Sequence, residues 1–139
     1  QVYKHVINLL YFMAIISVSL NENILKDIEK IQNEHGYSGR SEVIRSGVRL
    51  LISESKDIEK LFGEINSILI VIHHHDSENA VSEIKHAFKD ITKTQIHNHF
   101  EKEKCLELFV LQGEAERIKE MHRLFNTNKK MDIVKLIVP

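Results

Sequence analysis

The sequence predicts an α+β chain of two small domains, a strand–helix–helix unit followed by a strand–helix–strand–strand–helix–strand unit. Three observations carry this expectation. Apolar residues change period along the chain, alternating over 15–20, recurring at helical spacing over 24–31 and 44–51, and then switching repeatedly between the two periods. A charged stretch, ESKDIEKLFGE (54–64), separates the two blocks and ends on Gly63. The 139 residues suffice for one ordinary domain or two small ones. A unit of about 50 residues is marginal alone and commonly needs a second chain to complete its core.

The elements follow in order. Met13 opens a segment that reads as a domain start, so residues 1–12 are set apart as an N-terminal extension. Over 15–20 the side chains of Ile16, Val18 and Leu20 face one way and those of Ile15, Ser17 and Ser19 the other, a strand pattern. Asn21 is a suitable N-cap, with Glu22 favourable in the first turn. Ile24, Ile28 and Ile31 then form one helical stripe, and Gly36 supplies the stop. A second helix starts near Arg40 with the stripe Ile44, Val48 and Leu51, and Glu42 is placed to reach back to Gly39 as in a capping box. One lone strand cannot stand in water, and its most economical partner is the same strand of another chain.

Beyond the hinge, SILIVI (67–72) reads as a buried strand and 77–89 as a helix with Ala80 and Ile84 on one face. ITKTQIHNHF (91–100) and CLELFVLQG (105–113) alternate as strands around the turn EKEK (101–104). Residues 114–125 are helical through Ile118, Met121 and Leu124, and MDIVKLIV (131–138) closes as a strand. That order is the split βαβ arrangement of ferredoxin-like folds. The expected boundaries are 13–54 for the first domain, 55–65 for the linker and 66–139 for the second domain.

The formal net charge of −1 offers no global basic signature for nucleic acid, so DNA binding would require a local stripe repeated in a multimer. A single cysteine, Cys105, excludes an intrachain disulfide and points to a reducing compartment, the cytoplasm. The apolar run 6–18 is broken by Asn8 and Ser17 and is too short to span a bilayer, and no signal-peptide cleavage pattern follows it, so no membrane role is expected.

Nine histidines require an account. His97 and His99 lie two apart on a strand and share a face. A turn centred on Lys102 sets residue 105 opposite residue 99, where directly opposed side chains have Cβ atoms about 4.5–5.5 Å apart. Cys105 then joins the two imidazoles, and His86 on the preceding helix is the fourth candidate, from the same chain or a neighbour. An isolated H-x-H is most simply a solvated polar face. The cysteine at the matching cross-strand position favours a metal site instead. Imidazole and thiolate donors suit zinc, copper or nickel, and geometry decides among them. The run His73, His74 and His75 offers either a secondary metal site or a polar strand end, and the strand end is the simpler reading; His35 reads as a cation beside a helix stop and His122 as surface.

Ser17 and Ser19 project from one side of the first strand, where short polar groups suit base edges in a major groove that admits a two-stranded ribbon. SGRSE (38–42) opens the second helix, whose free N–H groups suit phosphate, with Arg40, Ser41, Arg45 and Arg49 close by.

Two blocks carry a family resemblance. IISVSLNENILKDIEKIQNEHGYSGRSEVIR resembles the ribbon-helix-helix domain of the nickel-responsive repressors, the NikR family, above all in GYxxRSExIR. HAFKDITKTQIHNHFEKEKCLELFVLQGEAERIK resembles that family's metal domain, with a His, an H-x-H eleven residues on, then C-L-E and a Q-G-E turn. The likeness covers 13–138. It implies a homotetramer, a dimer of dimers in which ribbon-helix-helix pairs flank ACT-type domains. It implies one Ni(II) per chain, held in a square plane by His97, His99 and Cys105 with His86 of a neighbour. It also implies that the ribbon reads a palindromic double-stranded operator through the positions of Ile15, Ser17 and Ser19, and represses nickel-uptake genes. The chain departs from the family pattern at Ile15, where a basic residue is usual, and at Ser46, where an Asp is common at a further cation site near Glu42. It departs again in a helix shortened near residues 77–80 and in NKKMDIVKL, which lacks the usual Gly- and His-containing turn.

Three rivals remain open at this level. The same fold can sense cobalt, copper or zinc. An antitoxin-like ribbon-helix-helix protein would show no metal effect on DNA. A metal enzyme is disfavoured, because four protein ligands leave no open position for substrate.

Overall fold

The computed structural model describes residues 14–101 and 103–139. The extension 1–12 and the turn residue Lys102 lie outside the described residues. The chain divides into two compact units, the first ending at Leu51 and the second covering Ile52–Pro139.

In the first unit, helix α1 (Glu22–His35) starts as its sequence requires, with the Asn21 side chain accepting from the Ile24 N–H at 2.9 Å. It ends at Gly36, which takes a left-handed φ of 70° that a Cβ would disfavour. Helix α2 (Arg40–Glu59) follows. The expected capping box is absent: the Glu42 N–H bonds the Gly39 carbonyl, while the Glu42 carboxylate turns to Arg45 and Arg49, each at 2.8 Å. Two guanidiniums outcompete one backbone N–H for the same carboxylate. The strand expected over 15–20 forms no ladder, and Ile15, Ile16 and Val18 are largely exposed. A strand is stabilised by pairing, and among the described residues no second strand pairs with it. Within the stretch expected as a linker, 55–65, helix α2 runs to Glu59 and a strand begins at Glu64.

The second unit holds a four-stranded sheet built from β1 (Glu64–His74), β2 (Thr92–Glu101), β3 (Lys104–Glu114) and β4 (Met131–Ile137). The strand order is β2-β3-β1-β4, and every neighbouring pair is antiparallel. Helix α3 (Glu78–Ala87), preceded by a 3-10 turn over His75–Ser77, joins β1 to β2, and α4 (Ala115–Asn126) joins β3 to β4. One sheet face is covered, with Leu69, Val71, Phe109 and Leu111 packing on Val81, Phe88, Ile118, Met121 and Phe125. The opposite face carries Ile68, Ile70 and Ile72, each paired across the ladder with Val110, Leu108 and Leu106. Its flanking positions Ile96, Ile133 and Ile137 are exposed.

Candidate metal centre

Strands β2 and β3 pair in the register that the hairpin implied, with His97 opposite Glu107 and His99 opposite Cys105. The Cys105 Sγ lies 3.1 Å from the His99 Nδ1, and the His99 Nε2 lies 3.4 Å from the His97 Nε2. The His99 ring therefore stands between the other two donors, turning one nitrogen to each. Cys105 is fully buried, whereas both imidazoles are exposed.

Beneath them lies a polar cluster within the covered face. Glu107 is 1% exposed and accepts from His97 Nδ1 at 2.5 Å and from Gln95 Nε2 at 2.7 Å, with Lys85 Nζ 3.8 Å away. A carboxylate on Nδ1 fixes the His97 tautomer and leaves Nε2 free to donate a lone pair. Burial pushes the Cys105 thiol above its ordinary value, and the charges of Glu78 and Glu107 add to that shift.

His86 is exposed near the end of α3. Its Nδ1 donates to the Ser82 carbonyl at 2.7 Å, the tautomer in which the neutral ring keeps its lone pair on Nε2. It stands apart from the other three donors in this chain. The donor atoms that do converge belong to His75, Glu78, His99 and Cys105, all within 4.8 Å of one another. His75 belongs to the histidine run whose simpler reading was a strand end, and Glu78 was not expected from the sequence. The signal for them was the i, i+3 spacing across a helix start, but only the pairing of β1 with β3 brings that start to Cys105.

The polar strand end expected at residues 73–75 is overturned for His73, which is wholly buried, its Nδ1 on the His74 carbonyl at 2.9 Å. Its Nε2 has no hydrogen-bond partner and faces Glu107 at 3.7 Å. His74 lies between Glu103 at 2.9 Å and Asp76 at 3.1 Å, and these carboxylates raise its pKa. His122, expected at the surface, is half-buried, and that desolvation lowers its pKa.

In the first unit, Ile15, Ser17, Ser19 and Ser41 are exposed. Arg40 pairs with Glu29, and Arg45 with Glu42. The Ser46 Oγ meets the Tyr37 hydroxyl at 3.3 Å, and the Glu42 carboxylate is paired with both Arg45 and Arg49.

Residues 65–138 match the family model described as "NikR C terminal nickel binding domain". A protein of Methanocaldococcus jannaschii named "Putative nickel-responsive regulator" is 36% identical over 88% of this chain and 89% of its own length. A namesake from Methanococcoides burtonii is 35% identical over 87% of this chain and 89% of its own. An uncharacterized protein of Thermotoga maritima shares the fold, with a TM-score of 0.51 at 15% identity, over 55% of this chain and 98% of that one.

Proposed function

This chain belongs to the family of nickel-responsive regulators, and from that premise we propose that it is a Ni(II)-dependent repressor of nickel-uptake genes acting on a palindromic operator. The observation that carries this reading is the buried Cys105 thiol 3.1 Å from an imidazole on the neighbouring strand, with a second imidazole beside it. Soft sulfur with borderline nitrogen is a donor set that fits Ni(II).

One Ni(II) per chain would be held by His97, His99 and Cys105, with His86 of a neighbouring chain completing the set. Such an ion would supply a link between chains. The chain's own residues prepare for it. Glu107 holds the His97 Nδ1 and the Ser82 carbonyl the His86 Nδ1, which leaves each Nε2 as the nitrogen with a lone pair to offer, and His99 would supply a further nitrogen. Cys105 must give up a proton raised in pKa by burial, so binding weakens as pH falls.

The N-terminal strand, unpaired within one chain, pairs with its copy to form a ribbon that sets Ile15, Ser17 and Ser19 against base edges. Arg40, Ser41 and Arg45 at the start of α2 take phosphates, exchanging carboxylate partners for DNA. Residues 13–54 thus form a ribbon-helix-helix arm, and 66–139 an ACT-type core. The apolar open face of the sheet favours self-association into a homotetramer. Among the described residues no helix is long and apolar enough to cross a membrane. A reducing cytoplasm would keep Cys105 available.

The test is absorption spectroscopy during Ni(II) titration of the wild type, Cys105→Ala and His86→Ala, followed by selection from a random duplex pool with and without metal. A thiolate charge-transfer band that requires Cys105, and a palindrome recovered only with nickel, are the expected results. A nickel spectrum indifferent to Cys105 would sink the reading.

A further inference from the structure

Two of the proposed nickel ligands also belong to a different set of donors. The 3-10 turn after β1 places His75 at its first position, and Glu78 opens α3 three residues later, with the His75 Nδ1 and Glu78 Oε1 3.1 Å apart. The His75 backbone N–H is pinned to the Glu103 carbonyl at 2.8 Å, which holds the turn against the β2–β3 hairpin. From there the His75 Nδ1 lies 3.9 Å from the Cys105 Sγ, which is itself 3.1 Å from the His99 Nδ1.

We propose that each chain carries a second, self-contained metal site, His75–Glu78–His99–Cys105, suited to a tetrahedral divalent ion of the Zn(II) class and exclusive with the nickel set.

The four donor atoms fall within 4.8 Å of one another. Around a tetrahedral zinc with bonds of about 2.0–2.3 Å, ligand atoms stand roughly 3.3–3.8 Å apart, so small side-chain turns close the site. One thiolate, two imidazoles and a carboxylate are ordinary zinc donors. The His99 Nδ1 is aimed into this set, while the nickel set draws on His97 and a second chain. The two sites share His99 and Cys105 and cannot fill together. They also engage opposite ends of α3, Glu78 at its start within the chain and His86 near its end toward a neighbour. The ion is therefore discriminated by whether it needs a second chain at all. The proposal rests on the nickel reading only for that exclusion.

Co(II) is the probe, because tetrahedral coordination gives intense visible d–d bands. Titrating the full chain should give such bands with a thiolate transition, and stoichiometric Zn(II) should remove them. His75→Ala and Glu78→Gln, both exposed positions, should weaken Co(II) and Zn(II) at least 10-fold, with circular dichroism unchanged and the Ni(II) thiolate band retained. His86→Ala should do the reverse. Zn(II) added to the nickel-loaded protein should erase the nickel band. An octahedral Co(II) spectrum, or tight Co(II) binding indifferent to both His75→Ala and Glu78→Gln, overturns the proposal. A nickel band independent of His86 counts against the nickel reading alone.

Discussion

Glu107 is a carboxylate in the covered layer of a sheet, held by three nitrogen donors from His97, Gln95 and Lys85. Its cost of burial is offset only while those partners stay in place. Glu107→Gln keeps the shape but loses the charge that orients His97, and a change of this kind typically lowers metal affinity about 10–100-fold. Competition titration against a chelator measures it, and an unchanged affinity would mean that His97 needs no such orientation. His122 gives a separate, pH-dependent prediction. Burial lowers its folded pKa below the ordinary 6.5, so the unfolded chain binds the proton more readily. Its contribution to stability is complete above pH 6.5 and is lost as pH falls from there through the folded value. His122→Gln should flatten that part of the stability profile in urea titrations at stepped pH. At this scale the sequence made the His99–Cys105 neighbourhood legible, because a short hairpin fixes its own register. Glu78 and the burial of His73 were hidden, and the histidine run could not be tied to Cys105, because both depend on β1 lying beside β3, a pairing between strands distant in sequence.

Elements were legible where periodicity and end signals agreed. Asn21 and Gly36 bound α1 as their chemistry requires. Asn21→Ala should remove the bond to the Ile24 N–H and cost about 0.5–2 kcal/mol, read from chemical denaturation. Where one side chain had two possible partners, the pattern misled: Glu42 prefers arginines within its own helix to the backbone before it. The stretch 15–20 alternates plainly, yet among the described residues no strand pairs with it. Gly113 on β3 was legible only as part of a turn motif. A Cβ there would meet the Ile91 Cγ2 at 2.6 Å, and Ile91 is buried. Gly113→Ala should therefore cost about 1–3 kcal/mol through overpacking. No loss in the denaturation midpoint would show that Ile91 yields freely.

The sheet of the second unit is apolar on both faces, yet among the described residues of that unit only one is covered. A single domain with one wet side normally alternates hydrophobic with polar residues, and the open-face pairs Ile70–Leu108 and Ile72–Leu106 do not obey that rule. Leu108→Glu should leave the covered core intact and shift the protein toward smaller species in sedimentation velocity. An unchanged distribution would remove the open face from the proposed assembly. The molecule's two-unit character was legible from the change of period along the chain and from its length. The identity of the open face was not, because each isoleucine fits either side of a sheet until strand order is known. One consequence follows from β3, where Cys105 and Glu107 point to the covered side while Leu106 and Leu108 point to the other. A shift of β3 by one residue against β1 would exchange the two sets wholesale. A hairpin of altered length would thus keep its donors on the covered side only by taking up the extra residue in its turn or in a bulge.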